Sequence, residues 1–265
     1  MYNGVNLSES PYPSRANSNR AIFQIRLNQD TTNSYRDLVY AHGGKKIVAS
    51  ASIGRGESAL TVWELPSGKL LVKHTLRRPQ PYLLDAICLL PDNEFVLLAL
   101  RTTIVNRDGS FSDKAHLKLW DTQKNDLTNS IYEHDGHVRG VAVSPNGSLV
   151  AWASTDKRIR LYDCKKKQLL VTLPGHDGHA GSSAVAFSPN GRVLFSVGGD
   201  LGQNGEDVGT WKAWEVPSGK LLHTTIAHLR PATSLAVSPD GQKLATGSLE
   251  VKVWDIPETL RVKNR

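Results

Sequence analysis

The 265-residue sequence predicts an all-β fold assembled from a recurring unit of four short strands. One observation is a turn: Ser144-Pro145-Asn146-Gly147 returns at Ser188 and, as Ser-Pro-Asp-Gly, at Ser238. Proline presets φ, and the following Asn-Gly or Asp-Gly step supplies the positive φ that closes a hairpin. A second observation is an aromatic–acid pair that ends an apolar run. It occurs at Trp63-Glu64, Trp120-Asp121, Tyr162-Asp163, Trp214-Glu215 and Trp254-Asp255, in steps of 57, 42, 52 and 40 residues. The third is short alternating or apolar runs bounded by Gly, Pro and Asn, the mark of strands rather than helices. Self-similarity at such a period belongs to architectures whose units stack to bury a shared core.

Taken in order, residues 1–20 are rich in Asn, Ser and Pro. They bury too little apolar surface to offset ordering entropy and are expected to form a flexible arm. Residues 21–28, AIFQIRLN, alternate as a half-buried strand and open the folded domain, 21–265. The first unit reads YRDLVY, KKIVASASI, ALTVWE and KLLVKHTL. The second reads LLDAICLL, EFVLLALRT, AHLKLWD and LTNSIY, with an apolar second run suited to a strand covered on both faces. The third, VAVS, SLVAWAS, RIRLYD and QLLVTL, has the most regular turns. The fourth is SAVAFS, RVLFSVG, TWKAWE and KLLHTTI, and the fifth ATSLAVS, QKLATGS, VKVWD and then LRVKN. Insertions separate second and third strands in two units. Residues 102–114 contain Asn106-Arg107-Asp108-Gly109 and predict a projecting hairpin. Residues 199–209, GDLGQNGEDVG, predict a mobile loop.

The unit resembles the WD repeat, the building block of WD-type β-propellers. The resemblance rests on the aromatic–acid pairs, the Ser-Pro-(Asn/Asp)-Gly turns and the Gly-His pairs Gly136-His137 and Gly178-His179. It implies a WD-repeat β-propeller with five recognisable four-stranded blades, forming a closed five-bladed ring or part of a larger ring. Six segments qualify as outer strands of five blades. Residues 21–28 are expected to clasp the third strand of unit five beside Val251 to Trp254. Residues 260–262 are the weaker claimant to that edge.

The resemblance also implies a hydrogen-bonded His–Ser/Thr–Asp–Trp set that locks each blade, since buried polar groups need partners. Unit three offers His137, Ser154 and Asp156, with Tyr162 in the Trp place. Unit four offers His179, Ser196, Trp214 and, if the insertion allows, Asp200. Unit five offers His228, Ser248 and Trp254, with Leu249-Glu250 where an Asp is expected. The repeated strings His134-Asp135-Gly136-His137 and His176-Asp177-Gly178-His179 raise the alternative of a zinc site, though the locking role already accounts for one histidine of each. No GxSxG, P-loop or HExxH motif occurs.

These observations point to a non-enzymatic scaffold that binds one or more proteins as a subunit of a larger assembly, since both insertions elaborate one face. Side chains expected on that face are Arg77, Arg78, Arg107, Asp108, Lys157, Arg158, Asp207 and Arg230. The net charge of +7 suits an acidic partner and motivates the alternative of an accessory nucleic-acid-associated propeller. It suits a solvated surface equally, because no basic run is interleaved with stacking aromatics. No cofactor, small-molecule substrate or membrane contact is expected, since no apolar stretch is long enough to span a bilayer. Cys88 and Cys164 fit reduced thiols in a cytoplasmic protein.

Overall fold

The structure, a computed structural model, describes residues 34–40, 45–53, 57–76, 82–90, 94–128 and 130–261. Among these residues every element is a strand, and the strands form five antiparallel sheets. Blade one contains β1 (Ser34–Tyr40), β2 (Lys46–Ser52), β3 (Ser58–Glu64) and β4 (Leu70–Leu76). Blade two contains β5 (Leu83–Leu89), β6 (Phe95–Val105), β7 (Phe111–Asp121), β8 (Asp126–Leu127) and β9 (Tyr132–Asp135). Blade three contains β10 (Val138–Val143), β11 (Leu149–Ser154), β12 (Ile159–Asp163) and β13 (Gln168–Leu173). Blade four contains β14 (Ser182–Phe187), β15 (Val193–Leu201), β16 (Asp207–Glu215) and β17 (Leu221–His228). Blade five contains β18 (Ser234–Val237), β19 (Lys243–Gly247) and β20 (Val251–Asp255). First strands of successive blades touch, β1 to β5, β5 to β10, β10 to β14 and β14 to β18. The blades therefore stack in chain order, as in a WD-type propeller.

The turns form as their sequences dictate. Ser144 Oγ donates to Asn146 Oδ1 at 2.8 Å and accepts the Leu149 N–H at 2.9 Å. Gly147 stands at φ +69°, a conformation that a side chain would strain. The same pair of bonds recurs at Ser188 and Ser238. These turns keep one end of the blades short and stereotyped.

The period-2 alternation of the strands assigns each side chain to one of two faces. In the third strand of a blade, residues one and three before the aromatic face the following blade. The aromatic itself faces the preceding one. Leu60 and Val62 thus share a core with Trp120. Leu117 shares one with Tyr162, Ile159 and Leu161 share one with Trp214, and Trp211 and Ala213 pack with Trp254. Four cores result, each between neighbouring blades, and the sheet is their shared wall.

Three expectations are corrected. The outer strand of blade two is split, β8 and β9 both pairing with β7 across a break. The insertion at 199–209 is no open loop: β15 and β16 continue their ladder through it to Leu201↔Asp207, closed by a turn. Among the described residues no outer strand starts after β20. The chain turns instead, with Leu260 N–H bonded to Pro257 O at 2.8 Å, and Leu260 is buried against Ile256 and Leu244. An apolar residue at that point gains more by filling the core between blades four and five than by pairing at an edge. Trp254 is only half-buried, because among the described residues no outer strand stands beside β20 to cover it. The clasp expected at residues 21–28 lies outside the described residues, as do the arm and residues 262–265.

Trp120 and Trp214 are 0% and 2% exposed. Truncating either to alanine should cost about 3–5 kcal/mol in a urea unfolding experiment, through the cavity left behind. Trp254→Ala should cost clearly less. Equal losses at all three would contradict the half-open setting of blade five.

Candidate functional site

The end of the propeller opposite the Ser-Pro-Asn-Gly turns carries the insertions, and polar locks beneath them set their positions. In blade four, Ser196 Oγ accepts the Trp214 indole N–H at 2.9 Å and bonds His176 Nε2 at 2.9 Å. His176 Nδ1 reaches Thr210 Oγ1 at 2.9 Å and lies 3.3 Å from Asp200 Oδ2. Thr210 donates its hydroxyl to Asp200 Oδ2, and Lys212 Nζ pairs with the same oxygen at 2.9 Å. Asp200 Oδ1 accepts the Asp177 N–H at 2.8 Å, which ties the preceding loop to the base of the insertion. Burial works against the Asp200 charge, but the bonds from His176, Thr210 and Lys212 outweigh it and hold the carboxyl far below the usual range. Burial likewise pushes His176 down, so the imidazole is neutral near pH 7.

Ser196, His176 and Asp200 have the hydroxyl–imidazole–carboxylate connectivity of a hydrolytic triad. Ser196 and His176 are, however, 0% exposed, and the serine oxygen already accepts an indole N–H. No substrate carbonyl can approach it. The set is a lock.

Blade three is locked differently. Trp152 Nε1 donates to His134 Nε2 at 3.1 Å, and His134 Nδ1 donates to the Asp135 carbonyl at 2.7 Å. Asp156 takes Arg160 at 2.5 Å and sits 3.7 Å from His134 Nδ1. In blade five, Thr246 Oγ1 accepts the Trp254 indole N–H at 2.9 Å and bonds His228 Nε2 at 2.8 Å. Glu250 stands in the carboxylate place, 3.7 Å from His228 and paired with Lys252 at 2.9 Å.

His134 and His176, the first histidines of their strings, occupy the positions expected of His137 and His179. This corrects the sequence assignment by three residues. His137 is half-buried beside Asp113, at 3.4 Å. The His179 side chain is 82% exposed, with Nδ1 on Asp207 at 3.0 Å. The physical reason is the glycine between them. A Cβ on Gly178 would meet the Gly199 carbonyl oxygen at 2.6 Å, so Gly178 seats the loop against the hairpin base and leaves the second imidazole outside. Ser248 is also displaced: its hydroxyl caps the Arg230 and Pro231 carbonyls, and Thr246 does the locking. Ser154 is fully buried and accepts the Asp156 N–H at 3.3 Å. Sequence reasoning missed Trp152 and the cation two residues before the third-strand aromatic in blades three to five, Arg160, Lys212 and Lys252. The repeated spacing of those cations was the available signal. The zinc alternative finds no geometry here. Both nitrogens of His176 are engaged within blade four, and no group of three or more His, Cys, Asp or Glu side chains converges among the described residues.

From these bases two β-hairpins project. In the first, β6 and β7 pair to Val105↔Phe111. Its root is held by Arg101 and Thr103 on Asp113, at 3.1 and 2.7 Å, and by His116 between Thr102 and Glu133, each at 2.9 Å. The His116 and Lys114 contacts pull the Glu133 carboxyl down to about 2. Its tip exposes Ile104, Val105 and Phe111, the last at 74%, beside Arg107 and Asp108. Asp108 is occupied within the turn, accepting from Ser110 N and Oγ. In the second hairpin, Asp177 and Asp207 accept backbone N–H groups of Leu201, His179 and Ala180. Asp207 is therefore a clamp and not a free surface acid. Leu201 is exposed at its shoulder, with Leu229 and Arg230 exposed on the neighbouring loop. Blade three, between them, keeps the short turn that presents Lys157 and Arg158, with Lys157 Nζ on the Asp177 carbonyl at 2.9 Å. Arg77 and Arg78 lie outside the described residues.

A family model for the WD domain, G-beta repeat, matches residues 125–163, 167–201 and 219–255. The chain is similar to an uncharacterized WD repeat-containing protein of Synechocystis, 41% identical over 68 residues, which are 25% of this chain and 17% of that protein. It is similar to the protein groucho of Drosophila melanogaster, 24% identical over 152 residues, 55% of this chain and 20% of the relative. It is also similar to pre-mRNA-processing factor 19 of Oryza sativa subsp. japonica, 25% identical over 223 residues, 81% of this chain and 37% of the relative. The matched part is thus a minor share of each relative's own length.

The lock assignment has direct consequences. His176→Ala should lose about 2–4 kcal/mol of stability by urea denaturation, because it orphans buried partners. His179→Ala should leave the midpoint unchanged; the reverse ranking would return the lock to the second histidine. The pH dependence follows from the same groups. His134 and His176 titrate below the ordinary 6.5, so their contribution is complete above that pH. It is lost on acidification, as unfolded-state imidazoles take up protons first. Asp200, held low, adds a further loss below about pH 4. The thermal midpoint should begin to fall near pH 6.5, and His176→Gln should make the slope between about pH 6.5 and 5 shallower.

Proposed function

We propose that this chain, a WD-repeat protein, is a non-enzymatic scaffold that grips partner proteins on its hairpin-bearing face and works as a cytoplasmic subunit of a larger assembly. WD repeats generally mediate protein–protein contact, the repeat model matches three segments of this chain, and one similar protein is itself named as WD repeat-containing. The observation that carries the reading is the first hairpin. It raises Ile104, Val105 and Phe111 into solvent, at 46%, 66% and 74% exposure, on a root fixed by ion pairs and buried imidazole contacts. Apolar side chains displayed on a rigid support lose little entropy on binding and are the material of interface hot spots. Arg107, Lys157, Arg158 and Arg230 surround this display with charge that favours an acidic protein face.

The nucleic-acid reading draws on the +7 charge alone. Several cations are consumed inside the molecule: Arg160, Lys212 and Lys252 serve the locks, and Arg101 holds the hairpin root.

The test uses affinity capture from the native source with the full chain. Val105→Ser with Phe111→Ser should abolish recovery of the specific partners while the thermal midpoint stays within about 2 °C, as expected for exposed sites. Retained partners would move the site elsewhere. In parallel, binding to random-sequence DNA and RNA should be weak and collapse with salt. Tight, salt-resistant nucleic-acid binding with no protein partner would replace the scaffold reading.

A further inference from the structure

The dipeptide Asn-Gly occurs at Asn3, Asn146, Asn190 and Asn204. Asn3 lies outside the described residues. The other three sit in turns and differ in how the asparagine is held. Glycine has no side chain to shield its amide nitrogen, so that nitrogen can attack the preceding side-chain amide at Cγ. Attack requires that the asparagine rotate into position and that the ring it forms have room.

The Ser-Pro-Asn-Gly turns hold their asparagines in place. Asn146 Oδ1 accepts from Ser144 Oγ at 2.8 Å and from Ser148 N and Oγ at 3.1 and 2.8 Å. Asn190 Oδ1 accepts from Ser188 Oγ at 2.8 Å and from Arg192 N at 3.1 Å. These local bonds must break before either side chain can swing. The second turn is also packed, since a Cβ on Gly191 would meet Pro145 Cδ at 3.5 Å.

Asn204, at the tip of the second hairpin, is exposed. Its backbone N–H is held by Glu206 Oε2 at 3.0 Å, but its side-chain amide has no hydrogen-bond partner among the described residues. Gly205 stands at φ +81°, with nothing within 4 Å of the place a Cβ would take. Its N–H reaches Gly202 O at 3.1 Å, a longer bond than the 2.8 Å at Gly147 and Gly191. The tip of the first hairpin is equally open at Gly109, but there Asp108 Oδ1 is held by Ser110 N and Oγ at 2.9 and 2.7 Å. An ionised carboxylate is moreover a poor electrophile.

We infer that Asn204-Gly205 is a site of spontaneous covalent modification, where Asn204 deamidates while the turn bonds protect Asn146 and Asn190. Gly205 N forms a bond to Asn204 Cγ, and the bond from Cγ to the side-chain nitrogen breaks. The Gly205 amide proton leaves with that nitrogen as ammonia. Water then adds to either carbonyl of the cyclic imide and opens it. One opening leaves aspartate, the other isoaspartate, whose main chain is longer by a methylene. Either product adds a carboxylate two residues from Glu206 and lowers the +7 net charge by one. The isoaspartate also lengthens the turn that the Gly202 N to Glu206 O bond closes at 2.7 Å. The hairpin root stays clamped through Asp177, Asp200 and Asp207, so the change is confined to the tip. The chemistry belongs to the tip itself and stands whether or not this face binds proteins.

The test incubates the folded full chain at mildly alkaline pH in heavy-oxygen water, followed by trypsin digestion in ordinary water. Cleavage at Arg and Lys places the three sites on separate peptides, 140–157, 168–192 and 193–212. Mass spectrometry should find the acid product, carrying one heavy oxygen, accumulating at Asn204 about tenfold or more faster than at Asn146 or Asn190. That ratio corresponds to about 1.4 kcal/mol in the barrier. In guanidinium, with the turns unfolded, the three sites should convert at similar rates. Asn204→Gln should remove the fast conversion and leave the thermal midpoint within about 2 °C, as expected at an exposed tip. Conversion at Asn146 or Asn190 as fast as at Asn204 in the folded chain, or none at Asn204, overturns the inference. A ranking that persists in guanidinium overturns it too, because flanking sequence and not the fold would then set the rates.

Discussion

A propeller blade is a thin sheet with two apolar faces, and it cannot hide either face by itself. Everything else in this structure depends on that constraint. Each third strand sends its aromatic toward one neighbour and its two flanking apolar residues toward the other, so no blade has a private core. Burial worth roughly 25 cal/mol per Å² of apolar surface is available only between blades. Stability is then a property of the stack, distributed over its interfaces, as in other repeat architectures. Where no neighbour is described, half a blade stands exposed, which is the condition of blade five at Val251 and Val253.

The segments matched by the WD family model show how the chain exploits the constraint. Residues 167–201 run from the outer strand of blade three into the second strand of blade four, and residues 219–255 from the outer strand of blade four through the third strand of blade five. A sequence repeat therefore ends one blade and begins the next, and covalent linkage joins the same sheets that the cores join by packing. The buried locks add a polar layer at one end. They satisfy indole, hydroxyl and imidazole groups that would otherwise be costly to bury. In blades three to five they also hold the loop before the blade to the strands within it. The hairpins of blades two and four rise from the ends so fixed, which makes the variable end of the molecule firm at its roots and adaptable at its tips.

The strand order, the turns and the aromatic positions were legible in the sequence because they depend on short-range physics. Alternation in VKVWD or IRLYD specifies a pleated strand whatever surrounds it. Ser-Pro-Asn-Gly closes with its own side-chain bonds, and Trp-Asp marks the end of a run. The candidate site was legible in part. The two insertions could be placed, along with Arg107, Lys157, Arg158 and Arg230 beside them. The locking histidines could not be chosen, because His134 and His137, or His176 and His179, are chemically identical and three residues apart. Only the closeness of Gly178 to the Gly199 backbone decides which ring turns inward.

What the sequence determined alone was a repeated four-strand unit and its pattern of apolar faces, since both follow from local backbone and side-chain preferences. Tertiary structure decided the rest. Thr246 replaces Ser248 because, standing opposite Lys252, it reaches the Trp254 indole on the diagonal at bonding distance, a relation no spacing rule conveys. Leu260 leaves the expected outer strand because the gap between blades four and five offers it more burial than an edge does. The second insertion becomes a ladder because Asp177 and Asp207 anchor its ends. Val251 and Val253 alternate in VKVWD just as Ile159 and Leu161 do in IRLYD. Their exposure is decided by whether a neighbour stands opposite, and the strand itself carries no record of that.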